Sequence, residues 1–129
     1  MKYEFIQNNR KYWKFILELR NHPLVKTGFI QQRHVTNENH TQYMEKYSDN
    51  YFLCLIDNIP AGYVGVVDDD IRVATHPEYQ GRGVGKFMIN EIMKIFPNSC
   101  AKVKIENTAS LKLFEACGFE KKYYLLERE

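Results

Sequence analysis

Three glycines lie within residues 81–85, at the start of an amphipathic helical pattern. The stretch from Gln80 reads QGRGVG, and the run KFMINEIMKIF follows it directly. Glycine weakens a helix, so this clustering indicates that the backbone must stay accessible there. A helix N-terminus exposes unpaired N–H groups at the positive end of its dipole, where phosphate oxygens bind. Because Arg82 and Lys86 add positive charge, the pattern favours an anion-binding loop over a tight turn without a ligand.

The spacing of these glycines fits neither of two common nucleotide-binding loops. A Walker loop carries serine or threonine after its lysine, whereas Phe87 follows Lys86 here. A dinucleotide-binding loop follows the first strand of its fold, whereas this loop follows a predicted hairpin and a third strand. The remaining interpretation is the pyrophosphate of another kind of ligand.

Hydrophobic periodicity predicts the helices and strands that position the loop. A first helix contains Trp13 and Ile16 and ends before Pro23, and a second helix is capped by Thr36. The later elements are a hairpin of YFLCLID and AGYVGVV, a strand in DDDIRVATHP, the helix after the glycines, a strand AKVKI, a helix in NTASLKLFEACGF and a last strand YYLL. Residues 72–105 should form a parallel crossover. This order predicts a mixed sheet of the α/β (α+β) class.

Length and composition limit the class of protein. The chain has 129 residues, 44% of them hydrophobic, and a formal net charge of +2. We therefore expect one domain, residues 1–129, and neither nucleic acid nor a membrane as a partner. No apolar run approaches the roughly 20 residues that span a bilayer, so we expect a soluble, cytoplasmic protein. Cys54, Cys100 and Cys117 lack the spacing of zinc ligands, so we expect reduced thiols and no metal.

Two motifs together resemble the GNAT superfamily of acyl-CoA-dependent N-acetyltransferases. HPEYQGRGVG, residues 76–85, is similar to that family's pyrophosphate loop, with Gln80, Gly83 and Gly85 at the defining positions. ENTASLKLFEACGF, residues 106–119, is similar to the family's helix between an asparagine and a Gly-Phe pair. The resemblance covers nearly the whole chain. It implies a mostly antiparallel sheet with a central parallel strand pair and about four helices, and acetyl-CoA as co-substrate.

The resemblance also assigns cofactor-binding residues by position. The strand before the loop would hold the pantetheine arm and the acetyl carbonyl, the loop would bind the pyrophosphate, and the second motif would flank the thioester. These residues are Val73, Ala74, Thr75, Gln80, Gly81, Arg82, Gly83, Val84, Gly85, Lys86, Asn107, Ser110 and Phe114. Asn107 is also a catalytic candidate, and its position permits a helix N-cap as well. Phe114 occupies the position where the family often has a tyrosine general acid, so no residue is assigned as the acid.

A shorter match in the first half of the chain concerns the acceptor. LRNHPLVKTGF and TNENHTQYMEK are similar to segments of N-acetyltransferases that act on nucleotide-linked amino sugars. The match implies acceptor contacts by Arg20, Asn21, His40 and Arg72, with His40 as a catalytic base because imidazole titrates near neutral pH. Each of these side chains has an alternative role. Arg20 and Asn21 would close a helix, His40 would be a solvated helix residue, and Arg72 would form a salt bridge in the sheet.

The expected partner is therefore a small-molecule amine, with a sugar nucleotide as the more specific candidate. A homodimer is compatible with the resemblance. Two other functions remain open at this point: acetylation of peptide N-termini or small amines, and acyl-CoA binding without catalysis.

Overall fold

The computed structural model describes residues 2–128 and contains a four-stranded sheet with helices on both faces. The strands are β1 (Tyr3–Gln7), β2 (Tyr51–Ile56), β3 (Ile59–Val67) and β4 (Asp70–Thr75). The helices are α1 (Trp13–Asn21), α2 (Pro23–Lys26), α3 (Asn37–Tyr47), α4 (Val84–Ile95) and α5 (Thr108–Ala116). Short 3₁₀ helices cover Arg10–Tyr12, Ser48–Asn50 and Pro77–Tyr79.

The sheet has the order β1-β2-β3-β4, and each neighbouring pair is antiparallel. The predicted hairpin and third strand are confirmed. Two tight turns connect them, and their aspartate and asparagine residues adopt the positive φ angles that such turns need: Asp57, Asn58, Asp68 and Asp69. The sequence prediction omitted β1, which pairs with β2 from Tyr3 opposite Ile56 to Gln7 opposite Phe52.

The predicted central parallel strand pair is not formed within residues 2–128. Parallel pairing there is limited to one bridge, between Asp70 and Cys100. The segment AKVKI then leaves β4 and forms no strand, and Ile105 at its end is 92% exposed. The predicted last strand at residues 123–126 is also wrong, since this segment is exposed and irregular. A strand needs a partner backbone, and neither segment lies along one in the described part of the chain.

Alternate side chains of the strands build two cores, one on each face of the sheet. On the first face, α4 buries Met88, Ile89 and Ile92 against residues such as Val64 and Ile71. On the second face, α1 and α3 bury a set of side chains against the sheet: Ile16, Leu19, Met44, Tyr51, Leu53, Tyr63 and Ala74. Between residues 2 and 128, no helix combines the length and apolar character that a membrane span requires.

Candidate active site

The glycine loop connects β4 to α4 and exposes its backbone to open space. Gly81 and Gly83 have φ angles of +80° and +78°, a left-handed conformation that favours glycine. A Cβ atom at either position would meet no heavy atom of the described chain within 4 Å. Gly83 precedes the first residue of α4, and no described side chain caps the helix. The first N–H groups of α4 therefore lie where an anion can approach them.

Gly85 has a different structural role from the other two glycines. A Cβ atom there would lie 2.9 Å from Cδ2 of Leu113 on α5. Real Cβ atoms are not found so close to other atoms, so Gly85 permits the close approach of α4 and α5. Tight packing thus explains one of the three glycines, and an open backbone explains the others.

Side-chain contacts, one of them from β1, hold the glycine loop in its conformation. The Tyr3 hydroxyl, from the unpredicted β1, donates a hydrogen bond of 2.6 Å to the carbonyl of Arg82. The Arg82 guanidinium lies 5.5 Å from the centre of the Tyr79 ring. Gln80 Nε2 donates to the carbonyl of Thr75 at 3.4 Å. The loop is therefore shaped by the protein itself, with Arg82 close to the start of α4.

The outer edge of β4 presents backbone groups beyond the point where residues 101–105 leave it. The N–H of Ile71 donates to the carbonyl of Cys100 at 2.9 Å, so Ile71 points its backbone outward from the sheet. The backbone N–H and C=O groups of successive residues in a strand point toward opposite edges, so those of Val73 and Thr75 also point away from β3. Ala74 points to β3, where it pairs with Tyr63, and its side chain is buried. An extended ligand that contains amides fits this edge through Val73 and Thr75.

Asn107 begins α5 and uses both of its side-chain polar atoms. Its Oδ1 accepts a hydrogen bond of 3.1 Å from the N–H of Ser110, which confirms the N-cap interpretation. Its Nδ2 donates to the carbonyl of Gly28 at 3.2 Å. Phe114, further along the helix, is 5% exposed and packs edge-to-face on Phe119 at 5.2 Å.

His40 is buried rather than solvated, with 2% of its surface exposed. Its Nε2 lies 2.7 Å from the carbonyl of Trp13, which can only accept, so Nε2 carries the proton. Its Nδ1 lies 3.4 Å from Nη1 of Arg20, which can only donate, so Nδ1 accepts. Burial is the main cause that lowers the pKa of His40; the hydrogen bond to the Trp13 carbonyl opposes it, and the charge of Arg20 lowers the pKa further. The imidazole is therefore neutral, and both of its nitrogens are engaged.

Arginine and tyrosine side chains form a cluster beside His40 on the α1 and α3 face. The Arg20 guanidinium lies 5.1 Å from the ring centre of Tyr43, and the Tyr43 and Tyr51 hydroxyls are 2.7 Å apart. Burial raises the pKa of Tyr51 and of Tyr63, while the positive charge of Arg72 acts in the opposite direction on both. The Arg20 guanidinium thus lies over one tyrosine of this cluster, and the charge of Arg72, on β4, acts on two others.

Two other acceptor candidates have structural partners. The Arg72 side chain is 44% exposed, and its Nε lies 3.8 Å from Oδ2 of Asp70, so the salt bridge considered for it is present. Asn21 donates from Nδ2 to the carbonyl of Val35 at 2.8 Å and accepts from the N–H of Val35 at 2.9 Å. Asn21 therefore holds the chain before α3, while Arg72 keeps an exposed side.

The sequence prediction missed Tyr3 and Tyr43 as residues of the site. Tyr43 lies three residues after His40, on the same face of α3, and this spacing is the signal that could have identified it. No local signal identified Tyr3, because its contact with Arg82 spans most of the chain.

A separate cleft of about 310 Å³ lies between the end of α1, the β2–β3 turn and the residues before the glycine loop. Its walls include two carboxylates, Glu18 and Glu78, and the aromatic rings of Phe15 and Tyr79. Carboxylates and aromatic faces both attract cations, so this cleft suits a positively charged group.

Comparison with known proteins relates most of the chain to one enzyme family. The model of the acetyltransferase (GNAT) family matches residues 13–119. A spermidine N-acetyltransferase from Vibrio cholerae, in complex with CoA and spermine, superposes with a TM-score of 0.82 at 19% identity, over 98% of this chain and 85% of that one.

Two further solved structures share the fold. The aminoglycoside N-acetyltransferase AAC(6')-Iy, in complex with a bisubstrate analog, has a TM-score of 0.74 at 19% identity, over 100% of this chain and 99% of that one. A ribosomal-protein-alanine N-acetyltransferase from Brucella melitensis has a TM-score of 0.78 at 16% identity, over 91% of this chain and 84% of that one. At such identities the likeness concerns the fold, and the three proteins are named for three different acceptors.

Proposed function

This chain belongs to the acetyltransferase (GNAT) family, and we propose that it transfers the acetyl group of acetyl-CoA directly to a primary amine. The observation that carries this proposal is that two stretches of accessible backbone, the outer edge of β4 and the glycine loop, follow each other directly along the chain. The outward groups of Val73 and Thr75 suit the amides of pantetheine. The open backbone from Gly81 to the first turn of α4 suits the pyrophosphate. Because the loop directly follows the strand, one extended ligand can contact both surfaces.

In this reaction the neutral amine nitrogen bonds to the thioester carbon and gives up one proton, the carbon–sulfur bond breaks, and coenzyme A leaves as a thiolate that takes up a proton. The outward N–H of Val73 is the donor that would stabilise the tetrahedral oxyanion. Phe114 has no proton to give, so the thiolate takes its proton from elsewhere. Burial raises the pKa of the Cys117 thiol, while Lys86 acts in the opposite direction, and direct transfer requires no cysteine nucleophile.

His40 is better placed to hold Arg20 than to accept a proton from the amine. A base needs a free lone pair within reach of the acceptor. The lone pair of Nδ1 already accepts from Arg20, and protonation would turn two donors toward each other. We therefore assign the imidazole a positioning role, in place of the base that the sequence suggested.

The proposed acceptor is a nucleotide-linked amino sugar. Its phosphates need cations, and Arg20 and Arg72 supply two guanidinium groups on one face beside β4. The exposed side of Arg72 leaves it accessible to such a group.

A second candidate is a small cationic amine. The carboxylates of Glu18 and Glu78 and the ring of Tyr79 around the 310 Å³ cleft favour it. The Vibrio cholerae and AAC(6')-Iy structures hold spermine and an aminoglycoside analog, respectively.

A free-thiol assay with acetyl-CoA separates these candidates. The panel contains a UDP-linked amino sugar with a primary amine, spermidine, an aminoglycoside and a peptide with N-terminal alanine. We expect the highest kcat/KM for the UDP-linked sugar, and Arg72→Gln should lower that value about tenfold or more. Lys121→Gln is the control for loss of a positive charge, since Lys121 is exposed in the irregular segment after α5. Preference for spermidine would establish the second candidate, and thiol release with no amine would contradict acetyl transfer.

A further inference from the structure

The 310 Å³ cleft beside the end of α1 contains hydrogen-bond donors as well as its two carboxylates. His22 and His76 lie on its wall, with their ring centres 6.0 Å apart. His22 Nδ1 accepts a hydrogen bond of 3.1 Å from the N–H of Leu24, and His76 Nδ1 accepts one of 3.1 Å from the N–H of Glu78. A backbone N–H can only donate, so each ring carries its proton on Nε2.

The two Nε2–H groups are held in place and unused. His22 caps α2, and His76 caps the 3₁₀ helix Pro77–Tyr79, so the backbone contact of each ring fixes its orientation. Neither Nε2 has a hydrogen-bond partner among residues 2–128, and both side chains are half-buried. Fixed donors lose little conformational freedom when a ligand binds. The pair therefore suits a carboxylate, which accepts hydrogen bonds from two donors at once.

The carboxylates of the same cleft lack strong ion pairs. Glu78 forms none with a described residue, and Glu18 makes one exposed contact of 3.9 Å with Lys14. An exposed pair of this length contributes little. Both carboxylates can therefore accept hydrogen bonds from an ammonium group of a ligand.

Apolar side chains complete the walls of the cleft: Phe15, Leu19, Ile59 and Pro60. Ile59 is 54% exposed, so a ligand that covers it removes apolar surface from water. The volume of the cleft is at the lower end of the roughly 300–1,000 Å³ that small-molecule sites occupy. The ligand that fits is therefore small and partly apolar.

A ligand with both charges satisfies this cleft better than a ligand with one. An amine without a carboxylate leaves the two imidazole N–H groups unpaired, and a carboxylate without an ammonium group meets two like charges. An α-amino acid carries both groups on neighbouring atoms and has no net charge.

We propose that this cleft binds a hydrophobic α-amino acid. The imidazole N–H groups hold its carboxylate, Glu18 and Glu78 hold its ammonium group, and Phe15 and Ile59 contact its side chain. None of the residues assigned to acetyl-CoA lines the cleft, so the described chain has room for both ligands at once. The inference does not rest on the proposed acetyl transfer, because binding is measured without acetyl-CoA.

The test is a titration with L-phenylalanine, 2-phenylethylamine and 3-phenylpropanoate at neutral pH, followed through the ring signals of His22 and His76 in NMR spectra. The second compound lacks the carboxylate, and the third lacks the ammonium group. We expect L-phenylalanine to bind with a Kd of about 1 mM or lower. Each analogue should bind at least about tenfold more weakly, because it loses a charge-assisted hydrogen bond. The ring of His40, which is buried elsewhere, is the internal reference.

Two variants separate the two halves of the site. His22→Ser keeps an oxygen that caps α2 but removes Nε2, so L-phenylalanine and 3-phenylpropanoate should bind about fivefold more weakly, and 2-phenylethylamine should be unaffected. Glu78→Gln removes a charge at nearly constant size, so it should weaken L-phenylalanine and 2-phenylethylamine but not 3-phenylpropanoate. His34→Ser and Glu45→Gln are the matched controls, since both residues are exposed and neither lines the cleft.

Three results would overturn the inference. The first is an absence of shifts in both cleft imidazole signals with L-phenylalanine at about 10 mM, well above the expected Kd. The second is tighter binding of spermidine than of L-phenylalanine, which would assign the cleft to a polycation. The third is an equal loss of all three phenyl compounds in both variants, which would show that the histidine and the glutamate do not recognise separate charges.

Discussion

Placing a carboxylate at Gly83 should abolish acetyl-CoA binding without unfolding the protein. Gly83 has a φ angle of +78°, and a Cβ atom there meets open space, so a side chain causes backbone strain but no clash. That strain costs about 1 kcal/mol. Gly83→Glu also sets a negative charge beside the N–H groups that would hold the pyrophosphate.

The expected size of the effect follows from mass action. Acetyl-CoA at about 100 times its Kd stabilises the folded state by about 2.7 kcal/mol. With an unfolding entropy of about 2.1 cal/mol/K per residue, this raises the melting temperature of a chain of this length by about 10 °C. The strain alone lowers the melting temperature by about 4 °C. Thermal denaturation with and without acetyl-CoA measures both quantities.

Two controls separate charge from strain. Gly83→Gln has the same backbone strain and nearly the same side-chain size, and it should keep more of the acetyl-CoA shift than Gly83→Glu. Gly118 has a φ angle of +91° and open space around its Cβ position, so Gly118→Glu tests the same change away from the loop. If Gly83→Glu keeps the full shift of about 10 °C, the pyrophosphate does not bind at this loop.

Three further changes test the neighbouring residues. The pKa of His40 in the folded state lies below its usual 6.5, so the unfolded chain binds a proton more readily and the folded protein should lose stability as pH falls below 6.5. In thermal denaturation between about pH 7 and 5, His40→Gln should therefore show a smaller loss of stability than the wild type. The same variant should lose far less turnover than the ~10²–10⁴ contributed by a general base, and a larger loss would restore the base assignment. Phe114→Tyr should change kcat by less than about tenfold, whereas a far larger gain would show that thiolate departure limits the wild type. Gly85→Ala should change the free energy of unfolding by less than about 1 kcal/mol, because alanine favours a helix and its Cβ meets only the movable end of the Leu113 side chain, and a larger loss in denaturant unfolding would show that Leu113 cannot shift.

Features encoded by neighbouring residues were predictable from the sequence. Thr36 caps α3, Asn107 caps α5, and the two-residue turns of the hairpins follow from their aspartate and asparagine residues. The open glycines follow from the same local logic, because a left-handed residue before a helix favours glycine.

Features that depend on distant partners were not predictable. β1 pairs with β2 across a long stretch of intervening chain, and its role in holding the loop through Tyr3 depends on that pairing. The strands expected at residues 101–105 and 123–126 have suitable side chains but no neighbouring backbone among the described residues. From the sequence His40 was a candidate base, with a solvated helix residue as the alternative, and only the packing of α3 on α1 buries it against Trp13 and Arg20.

The distribution of charge around β4 bears on the acceptor. The Arg20 guanidinium lies over the Tyr43 ring and the charge of Arg72 acts on Tyr51, whereas the carboxylates of Glu18 and Glu78 line the cleft before the glycine loop. An anionic acceptor is drawn to the first region and repelled from the second, and a polycation behaves in the opposite way. His40 is neutral and adds no charge beside Arg20, so the positive charge of the first region comes from the two guanidinium groups. The two acceptor classes therefore make opposite demands on the same face of the sheet, and the side chains that bind one class disfavour the other.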